Sequence, residues 1–505
     1  MAKEVLLISV QDNLSVMGLR FIHNALLRNG NASRILFLPY FDARSSRTLE
    51  KINAFVRETD PLFIGISLMS IEYYKACALS EFLKLHYPSI PVVWGGTHPT
   101  VAPETCFPHA DYVCLGEGER TALDLAAALE KRQDTYSIPN LCYREKGNIR
   151  KNGLYPLIED LDGLPPLGYI GEDSFLQERR GNIAPINKAL YEREARYKGR
   201  MYEIITSRGC AFACSYCCNS FFSRMYGTRS IRRRRVDNII AELEDAIKTN
   251  PKIALIHIQD DSFLSASMEY IEDFCRAYKE NIKRPLMAHA IPVYLNLNKL
   301  ELLKNAGLAW INMGLQSGSD RVLTEIYRRN SLRTHFLEAA TAIHRLNIAG
   351  KYDVIVDNPF ESEDETVETV ETVARIPKPY LLEIYSLRFF PGTELYEKAV
   401  SHVPDQLGHY RQRDYLRVEN SALNRMILLA VYLPKPIMDF LVRLYKAGRA
   451  SLPFTMTLAA CSFLSRFFYR PLIMLEVYLT AHRYSPSRAI ANTPLYIREM
   501  LLKNF

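Results

Sequence analysis

Apolar runs alternate with amphipathic stretches in two separate parts of this chain, and this alternation limits the possible fold more than any other feature. In the first part the candidate strands are residues 5–10, 34–38, 63–68, 92–94 and 112–115. Helix-like patterns lie between most of them, at residues 18–28, 49–58, 71–86 and 121–131. Strands and helices in this order predict a parallel sheet with helices on both faces. We therefore expect residues 1–150 to form a doubly wound, Rossmann-like α/β domain.

A second alternating series begins near residue 203. Its candidate strands are residues 203–206, 255–259, 286–290, 311–315, 351–356 and 382–387, each followed by a helix-like stretch or a loop. Six such units predict a partial or complete β/α barrel, whose chemistry would lie at the carboxyl ends of its strands. We assign residues 151–200 to a linker, residues 201–400 to the barrel and residues 401–505 to a mainly helical C-terminal domain.

Composition excludes several classes of protein. The 505 residues are 48% hydrophobic and 24% charged, and a net charge of +7 is too small at this length to indicate nucleic-acid binding. The ten cysteines are mostly scattered and do not form the disulfide framework of a small secreted protein. No apolar run reaches the roughly 18 residues of a membrane span, and the first residues show no signal-peptide pattern. We expect a cytoplasmic protein.

Four cysteines fall within nine positions directly after the first strand of the second series. Three of them, Cys210, Cys214 and Cys217, are separated by three and then two residues, and Cys218 is a spare thiol. Thiolates are the usual ligands of iron–sulfur centres, and three of them leave one iron of a four-iron cluster open. A zinc knuckle is the alternative, although zinc normally takes four ligands and no second C-x-x-C pair follows.

The pattern C-x-x-x-C-x-aromatic-C, with Tyr216 as the aromatic residue, resembles the hallmark of the radical S-adenosylmethionine (SAM) superfamily. The resemblance implies a [4Fe–4S] cluster on the three cysteines, with SAM chelated to the open iron. One electron from the cluster would split SAM into methionine and a 5′-deoxyadenosyl radical. The share of the protein would be binding, orientation and exclusion of solvent.

Later segments of the second series also resemble this superfamily. Residues 258–263 stand where it places an acidic motif, residues 313–318 match its ribose-side strand end, and residues 357–362 match a later loop. The SAM contacts that the resemblance implies are Tyr216, Gln259, Asp260, Asp261, Gln316 and Ser317. Gln316 replaces the glutamate that is common at its position. A solvated loop or a helix cap is the alternative role of the two aspartates.

Glycines follow two consecutive strands of the first series, as Gly95-Gly96 and as Gly116 and Gly118. Glycine lets a backbone approach a bulky ligand closely, and the lack of G-x-G-x-x-G argues against a dinucleotide. These loops resemble the cobalamin-binding domain found in front of many radical SAM domains. The cobalamin contacts that the resemblance implies are Ser15, Met17, Gly18, Met69, Ser70, Gly95, Gly96, His98, Gly116, Glu117 and Gly118.

One departure from the cobalamin-binding pattern concerns the lower ligand of cobalt. Many such domains carry D-x-H-x-x-G in the first loop, whereas residues 11–18 contain no histidine. His98 is the remaining candidate, and a loop histidine that contacts backbone or the cofactor edge is the alternative. Some relatives keep the domain without cobalamin.

The C-terminal segment holds apolar residues at helical spacing, beside basic residues, at 426–444 and 454–482. A helical cap over the barrel mouth is one interpretation. A surface that meets lipid or a hydrophobic substrate is the other, which leaves peripheral membrane contact open. The basic run at residues 232–235 is expected to be a solvated or phosphate-contacting face, not a nucleic-acid site.

The combined resemblance implies a cobalamin-dependent radical SAM enzyme, with methylation of an unactivated carbon as the favoured reaction. Radical cyclisation or rearrangement without methyl transfer, as in the anaerobic porphyrin cyclases, is the first alternative. A non-enzymatic iron–sulfur or cobalamin sensor is the second. We expect a small-molecule or lipid-like substrate and an electron donor such as flavodoxin or ferredoxin. The pattern names no catalytic side chain and no substrate.

Overall fold

The computed structural model describes residues 3–168, 170–408 and 415–448, and positions 454, 456–461, 463, 475–477 and 480. The chain divides into two compact units. Unit 1 comprises Met1–Met201, Arg224–Thr228 and Ala241–Ile253. Unit 2 comprises Tyr202–Ser223, Arg229–Ile240 and Ala254–Phe505. Most of the predicted helix at residues 454–482 lies outside the described residues.

Unit 1 is built on a nine-stranded sheet with the order β7-β6-β5-β4-β3-β1-β2-β8-β9. Its strands are β1 (Val5–Ser9), β2 (Ser33–Phe37), β3 (Phe63–Ser67), β4 (Val92–Gly95), β5 (Tyr112–Cys114), β6 (Leu141–Glu145), β7 (Asn148–Lys151), β8 (Ser174–Gln177) and β9 (Ile183–Pro185). Strands β1 to β5 and β8 pair in parallel, while β6, β7 and β9 add antiparallel edges. The predicted doubly wound sheet is confirmed, and the segment expected to be a linker contributes β8 and β9.

Burial of both faces explains why the central strands of unit 1 are apolar throughout. All five residues of β1 are buried, as expected for a parallel strand between two helical layers. Leu6 and Ile8 belong to one apolar core, and Val5 and Leu7 to another. The helices of unit 1 are α1 (Met17–Arg28), α2 (Ser46–Thr59), α3 (Tyr73–His86), α4 (Thr97–Val101), α5 (Glu119–Glu130) and α6 (Lys188–Glu194).

Unit 2 carries a six-stranded sheet with the order β10-β13-β14-β15-β16-β17. Its strands are β10 (Met201–Ile204), β13 (Leu255–Ile258), β14 (Leu286–Ala290), β15 (Leu308–Gln316), β16 (Ala349–Val356) and β17 (Leu381–Ser386). Strands β13 to β17 pair in parallel. Within the described part of the chain β17 does not pair with β10, so the barrel is partial. A separate two-stranded ribbon joins β11 (Ser207–Arg208) to β12 (Arg232–Arg233).

Helices cover one face of the six-stranded sheet. Tyr352 of β16 points to this side, where its ring lies 5.1 Å from the ring of Phe336. The remaining helices are α7 (Cys218–Tyr226), α8 (Val236–Thr249), α9 (Met268–Asn281), α10 (Leu297–Ala306), α11 (Arg333–Arg345), α12 (Glu363–Ala374), α13 (Glu394–His402), α14 (Ala422–Ala430) and α15 (Lys435–Lys446). Among the described residues, no helix combines the length and apolar character that a membrane crossing requires.

The start of the C-terminal segment is fixed to the carboxyl end of β16. The Asp357 carboxylate accepts hydrogen bonds from Ser386 Oγ at 2.6 Å, from the backbone N–H of Glu419 at 2.9 Å and from Asn424 Nδ2 at 2.7 Å. Helices α14 and α15 then pack against α12. In the described residues these two helices therefore lie on the helical layer, whereas residues 415–424 reach the strand ends.

Candidate functional site

The cysteine loop, residues 209–217, begins where the β11–β12 ribbon ends. Gly209 has a φ of +107°, and a Cβ there would lie 2.4 Å from the carbonyl oxygen of Ser230, so only glycine fits. Helix α7 begins at Cys218, directly after the loop. The loop is therefore held at both ends by regular structure.

Asp260 lies beneath the start of this loop. Its carboxylate accepts hydrogen bonds from the backbone N–H of Thr206 at 2.6 Å and from the hydroxyls of Thr206 and Ser207 at 2.5 Å each. The side chain is 1% exposed. Burial raises the pKa of Asp260, and these hydrogen bonds oppose the shift because they stabilise the carboxylate. Asp260, predicted as a SAM contact, directs both oxygens to the chain leading into the loop.

The thiols of Cys210, Cys214 and Cys217 are free and close enough to interact electrostatically. Burial raises the pKa of Cys210 to about 11 and also raises the pKa of Cys214. The hydrogen bond with the Cys218 thiol, and after it burial, raises the pKa of Cys217. The described residues contain no group of three or more side chains arranged to hold a single metal ion. Cluster ligands need no such convergence, because each thiolate binds a different iron. Three thiols in one loop fit an iron–sulfur cluster.

Asp261 and Cys218 lie beside the cysteine loop. Asp261 is exposed, bonds to the side chain of Asn219 and interacts electrostatically with Cys210 and Cys217. The thiol of Cys218 bonds to that of Cys217. Of the two adjacent aspartates, Asp261 is therefore the one that faces the thiols and is open to a ligand.

A buried arginine that the sequence did not reveal supports the loop from the opposite side. Arg329 is 8% exposed, and its Nη1 donates to Tyr216 Oη at 3.1 Å while Nη2 donates to the Gly314 carbonyl at 3.0 Å. Its charge lowers the pKa of Cys214 against the larger effect of burial. The guanidinium therefore favours a thiolate at this position. Arg329 belongs to no motif, so only its contacts identify it.

Gln316 is the last residue of strand β15 and Ser317 follows it, but their side chains face different groups. Gln316 has a φ of +70°, and its side chain lies over Gly314, where a Cβ would be 2.1 Å from Gln316 Nε2. Ser317 is fully buried and donates to Glu361 Oε1 at 3.1 Å. Burial raises the pKa of Glu361 to about 7. Gln259 is displaced from the loop, since its amide donates to Glu203 Oε1 at 2.6 Å.

In unit 1 the strand order brings the carboxyl ends of β1, β3, β4 and β5 to one edge of the sheet. The loops after β3 and β4 are bonded to each other, because Leu68 N–H donates to the Gly95 carbonyl and His98 N–H to the Leu68 carbonyl. Gly96 has a φ of +99°, and a Cβ there would lie 2.8 Å from the Leu68 carbonyl. These two loops therefore form one rigid rim.

Open positions surround this rim. The Met69 side chain is 40% exposed, and a Cβ at Gly18 would meet no atom within 4 Å. Ser70 is half-buried and faces His98, and Met17 is the first residue of α1. The Ser15 N–H donates to Asn13 Oδ1 at 2.9 Å, which shapes the first loop. In open parallel sheets, ligands bind beyond the carboxyl ends of the strands, where this rim lies.

His98 uses both ring nitrogens within the protein. Nδ1 lies 3.0 Å from Ser70 Oγ, and Nε2 lies 3.0 Å from Thr105 Oγ1. The residue is 4% exposed, and its ring lies 4.8 Å from that of Tyr73. Ligation of cobalt would break one of these bonds. The geometry favours the alternative reading of a structural loop histidine, and a cobalamin held here would be bound without it.

The second glycine pair is shaped by protein contacts. A Cβ on Gly116 would lie 1.9 Å from Tyr226 Oη, and a Cβ on Gly118 would lie 2.9 Å from Ile22 Cδ1. The Glu117 carboxylate accepts from the Ile158 N–H at 2.9 Å. Close packing within unit 1 thus accounts for these glycines, and Gly18 and Met69 are the stronger candidates for ligand contact.

The chain matches two known protein families. Residues 204–373 match the radical SAM superfamily, and residues 3–126 match the B12 binding domain. The chain is 25% identical over 359 residues to an uncharacterized methyltransferase of Pyrococcus horikoshii, covering 70% of this chain and 73% of that protein. It is 23% identical over 382 residues to an anaerobic magnesium-protoporphyrin IX monomethyl ester cyclase of Synechocystis, covering 74% and 71%.

The fold is also similar to a solved structure. The radical SAM methyltransferase TsrM from Kitasatospora setae, with cobalamin and a [4Fe–4S] cluster bound, superimposes with a TM-score of 0.62. The alignment covers 79% of this chain and 75% of that one at 18% identity. The cofactors of the two matched families are SAM with a [4Fe–4S] cluster, and cobalamin. The chain thus carries a radical SAM domain at residues 204–373 and, in front of it in the sequence, a B12 binding domain at residues 3–126.

Proposed function

We propose that this protein is a cobalamin-dependent radical SAM enzyme that transfers a methyl group to an unactivated carbon. The cysteine loop carries the proposal, because it presents three free thiols at the entrance to the partial barrel. The names of the Pyrococcus and Kitasatospora relatives support methyl transfer.

The residues of unit 2 have separate tasks in this proposal. Cys210, Cys214 and Cys217 would hold the [4Fe–4S] cluster, and Asp260 keeps the loop in position through Thr206 and Ser207. Asp261 is exposed beside the thiols, where a carboxylate suits the amino group of SAM. When bound, the cluster supplies an electron for reductive cleavage of SAM and cobalamin supplies a methyl carrier. The protein binds and orients these cofactors and excludes water from the site.

The residues of unit 1 would hold cobalamin without a histidine ligand. The rim formed by the loops after β3 and β4 supports one side, with Met69 and Gly18 as open positions. His98 stabilises the rim through Ser70 and Thr105. Low-potential electrons would come from a flavodoxin- or ferredoxin-like donor.

A second candidate function is radical cyclisation or rearrangement without methyl transfer. The observation that favours it is the likeness to the Synechocystis cyclase over 74% of this chain.

Peripheral membrane contact also stays a prediction. Ile437 and Phe440 on α15 are 46% and 53% exposed, which gives that helix an apolar side open to lipid or to another protein.

Product analysis tests the proposal. The protein is purified anaerobically, reconstituted with iron, sulfide and hydroxocobalamin, and supplied with SAM and a strong reductant. Mass spectrometry then measures 5′-deoxyadenosine and S-adenosylhomocysteine. Cys214→Ala should abolish the deoxyadenosine, whereas Cys461→Ala removes an exposed thiol outside the motif and should not. Deoxyadenosine alone would favour the second candidate. If neither product forms in protein with an intact cluster, the enzymatic assignment is overturned.

A further inference from the structure

The inner face of the six-stranded sheet, opposite the helices, is polar. Register places His289, Asn312 and Lys351 side by side on β14, β15 and β16. The next row joins Gly314, Asp353 and Glu383 on β15, β16 and β17. Lys351 and Asp353 flank Tyr352 in sequence, so they point away from the helical layer that Tyr352 contacts. A barrel interior filled for packing alone would carry Val, Ile and Leu here.

A chain of hydrogen bonds fixes the direction of the donors on this face. The Gln259 amide donates to Glu203 Oε1 at 2.6 Å and lies 3.0 Å from His257 Nδ1. His257 Nδ1 is therefore the acceptor, and His257 Nε2–H donates to His289 Nε2 at 3.2 Å. The proton of neutral His289 is then on Nδ1. Burial lowers the pKa of His289 to about 4, so the ring is neutral.

Two polar atoms of β15 are buried without a partner. Asn312 Oδ1 and Trp310 Nε1 make no hydrogen bond to any described residue, although Asn312 is 7% and Trp310 is 6% exposed. Both residues are on the inner face, since they pair in register with His289 and Met287. Leaving a buried polar group without a hydrogen-bond partner is unfavourable. One acceptor and one donor are thus left for a bound molecule.

Asp353 is the third unpaired group. Lys351 Nζ is paired with Glu383 Oε2 at 2.8 Å, and Arg329 is held by Tyr216 and Gly314. Among the described residues Asp353 forms neither a hydrogen bond nor an ion pair, and burial raises its pKa to about 7. Three carboxylic side chains, Glu203, Asp353 and Glu383, lie on this face, where Lys351 pairs with Glu383 and Arg329 interacts electrostatically with Asp353. A cation that binds directly to Asp353 would stabilise its carboxylate.

Contacts connect Asp353 with the cysteine loop. Asp353 pairs in register with Gly314, and the Gln316 side chain lies over that glycine. The Gly314 carbonyl binds Arg329, which binds Tyr216 of the loop. A molecule bound to Asp353 would therefore lie beside Gly314 and Gln316, and Gln316 is one of the residues assigned to SAM.

From these observations we infer that the inner face binds the substrate of the radical reaction, and that this substrate is a polar molecule with a protonated amine that pairs with Asp353. The inference rests on the proposed function only in identifying the bound molecule as the substrate. A hydrocarbon chain would leave Asn312 Oδ1 and Trp310 Nε1 unpaired, and an anionic tetrapyrrole would meet like charges. Lipids and porphyrin carboxylates are thereby excluded as the groups held on this face.

The two tryptophans of the chain give a local reporter. Trp310 is on the inner face, whereas Trp94 is in unit 1 with its indole N–H bonded to Ser80 Oγ at 2.8 Å. Protein labelled with 5-fluorotryptophan and reconstituted with its cluster should give two fluorine NMR signals, which Trp310→Phe assigns. Three probes of matched shape are titrated at millimolar concentration: 4-phenylbutylamine, 4-phenylbutanol and 4-phenylbutyrate.

The amine should shift the Trp310 signal in a saturable manner and leave the Trp94 signal unchanged. It should bind roughly tenfold more tightly than the alcohol, because a charge-assisted hydrogen bond to Asp353 is lost in the alcohol. Asp353→Asn should remove this preference. Asp364→Asn, which neutralises an exposed carboxylate in the first turn of α12, should keep it.

The relative affinities of the three probes for the unmodified protein test the inference even if Asp353→Asn does not fold. Equal affinity for the three probes, preference for the carboxylate or failure of the amine to shift the Trp310 signal would overturn the inference. SAM cleavage by the same preparation is measured separately as 5′-deoxyadenosine. Amine binding without SAM cleavage would support the inner-face site and count against the proposed function. SAM cleavage without amine binding would support the proposed function and overturn the inner-face site.

Discussion

Asp260 and Thr206 are joined by two hydrogen bonds across a sequence separation of 54 residues, one from the threonine N–H and one from its hydroxyl. Strand β10 ends at Ile204 and β13 at Ile258, so this pair ties the ends of two neighbouring strands together. The path of the chain into the cysteine loop therefore depends on a carboxylate that belongs to the next strand of the sheet.

Asp260→Asn should weaken this tie and lower cluster content. An amide turns one acceptor into a donor that faces other donors, which costs about 1–3 kcal/mol at a buried site. Iron and sulfide analysis after reconstitution measures the loss, and denaturant unfolding measures the change in stability. Asp261→Asn is the matched control, since Asp261 is exposed. It should keep the cluster and weaken SAM binding, and equal cluster loss in both variants would contradict the assignment.

Arg329→Gln should make the cluster harder to reduce. The guanidinium lies near Cys214 and Cys210, and a nearby positive charge stabilises the more negative, reduced state. Loss of about 1 kcal/mol corresponds to a shift of roughly 40 mV toward more negative potential for one electron. A redox titration followed by electron paramagnetic resonance gives the midpoint. Arg328→Gln removes an exposed arginine paired with Glu394 and should leave the midpoint unchanged.

Cobalamin bound to this protein should carry no histidine on cobalt. The first loop lacks one, and both nitrogens of His98 are engaged by Ser70 and Thr105. Electron paramagnetic resonance of the reduced cob(II)alamin state should be the same in protein made with ¹⁴N-histidine and with ¹⁵N-histidine. A splitting that changes with the isotope and disappears in His98→Phe would show that His98 is a ligand.

The stability of the protein should fall as the pH drops below about 6.5, in part because of His23. Burial lowers the pKa of His23 from 6.5 to about 4 in the folded chain, where Nδ1 lies 2.9 Å from Ser33 Oγ. The unfolded chain takes up the proton first, so this stability is present at neutral pH and is lost between pH ~6.5 and ~4. The loss at pH 5 is about 2 kcal/mol.

Chemical denaturation of wild type and His23→Gln at pH 7 and pH 5 isolates this contribution. The difference in unfolding free energy between the two pH values should be smaller in the variant. His86→Gln replaces an exposed histidine and should behave as wild type. An unchanged pH dependence in His23→Gln would mean that His23 does not resist protonation.

The sequence predicted those features that depend on neighbouring residues. Apolar strands such as β1 show their burial in their composition, and the cysteine loop shows its chemistry in its spacing. The sequence was less informative where the role of a residue depends on contacts with residues far away in the chain. Gly116 suggested a ligand but makes room for Tyr226, and Arg329 belongs to no motif. The charge of the inner face was also hidden, because Glu203, Lys351, Asp353 and Glu383 come from three separate strands.

The bonds from Asp357 to Glu419 and Asn424 bear on the biosynthesis of the protein. These two partners are synthesised only after every strand of the six-stranded sheet. A product that ends early in the C-terminal segment would keep all of its cluster cysteines and its whole sheet, yet lose the two hydrogen bonds that Glu419 and Asn424 donate to Asp357 at a strand end. Shortened gene products should therefore lose order at the end of β16 before they lose the sheet.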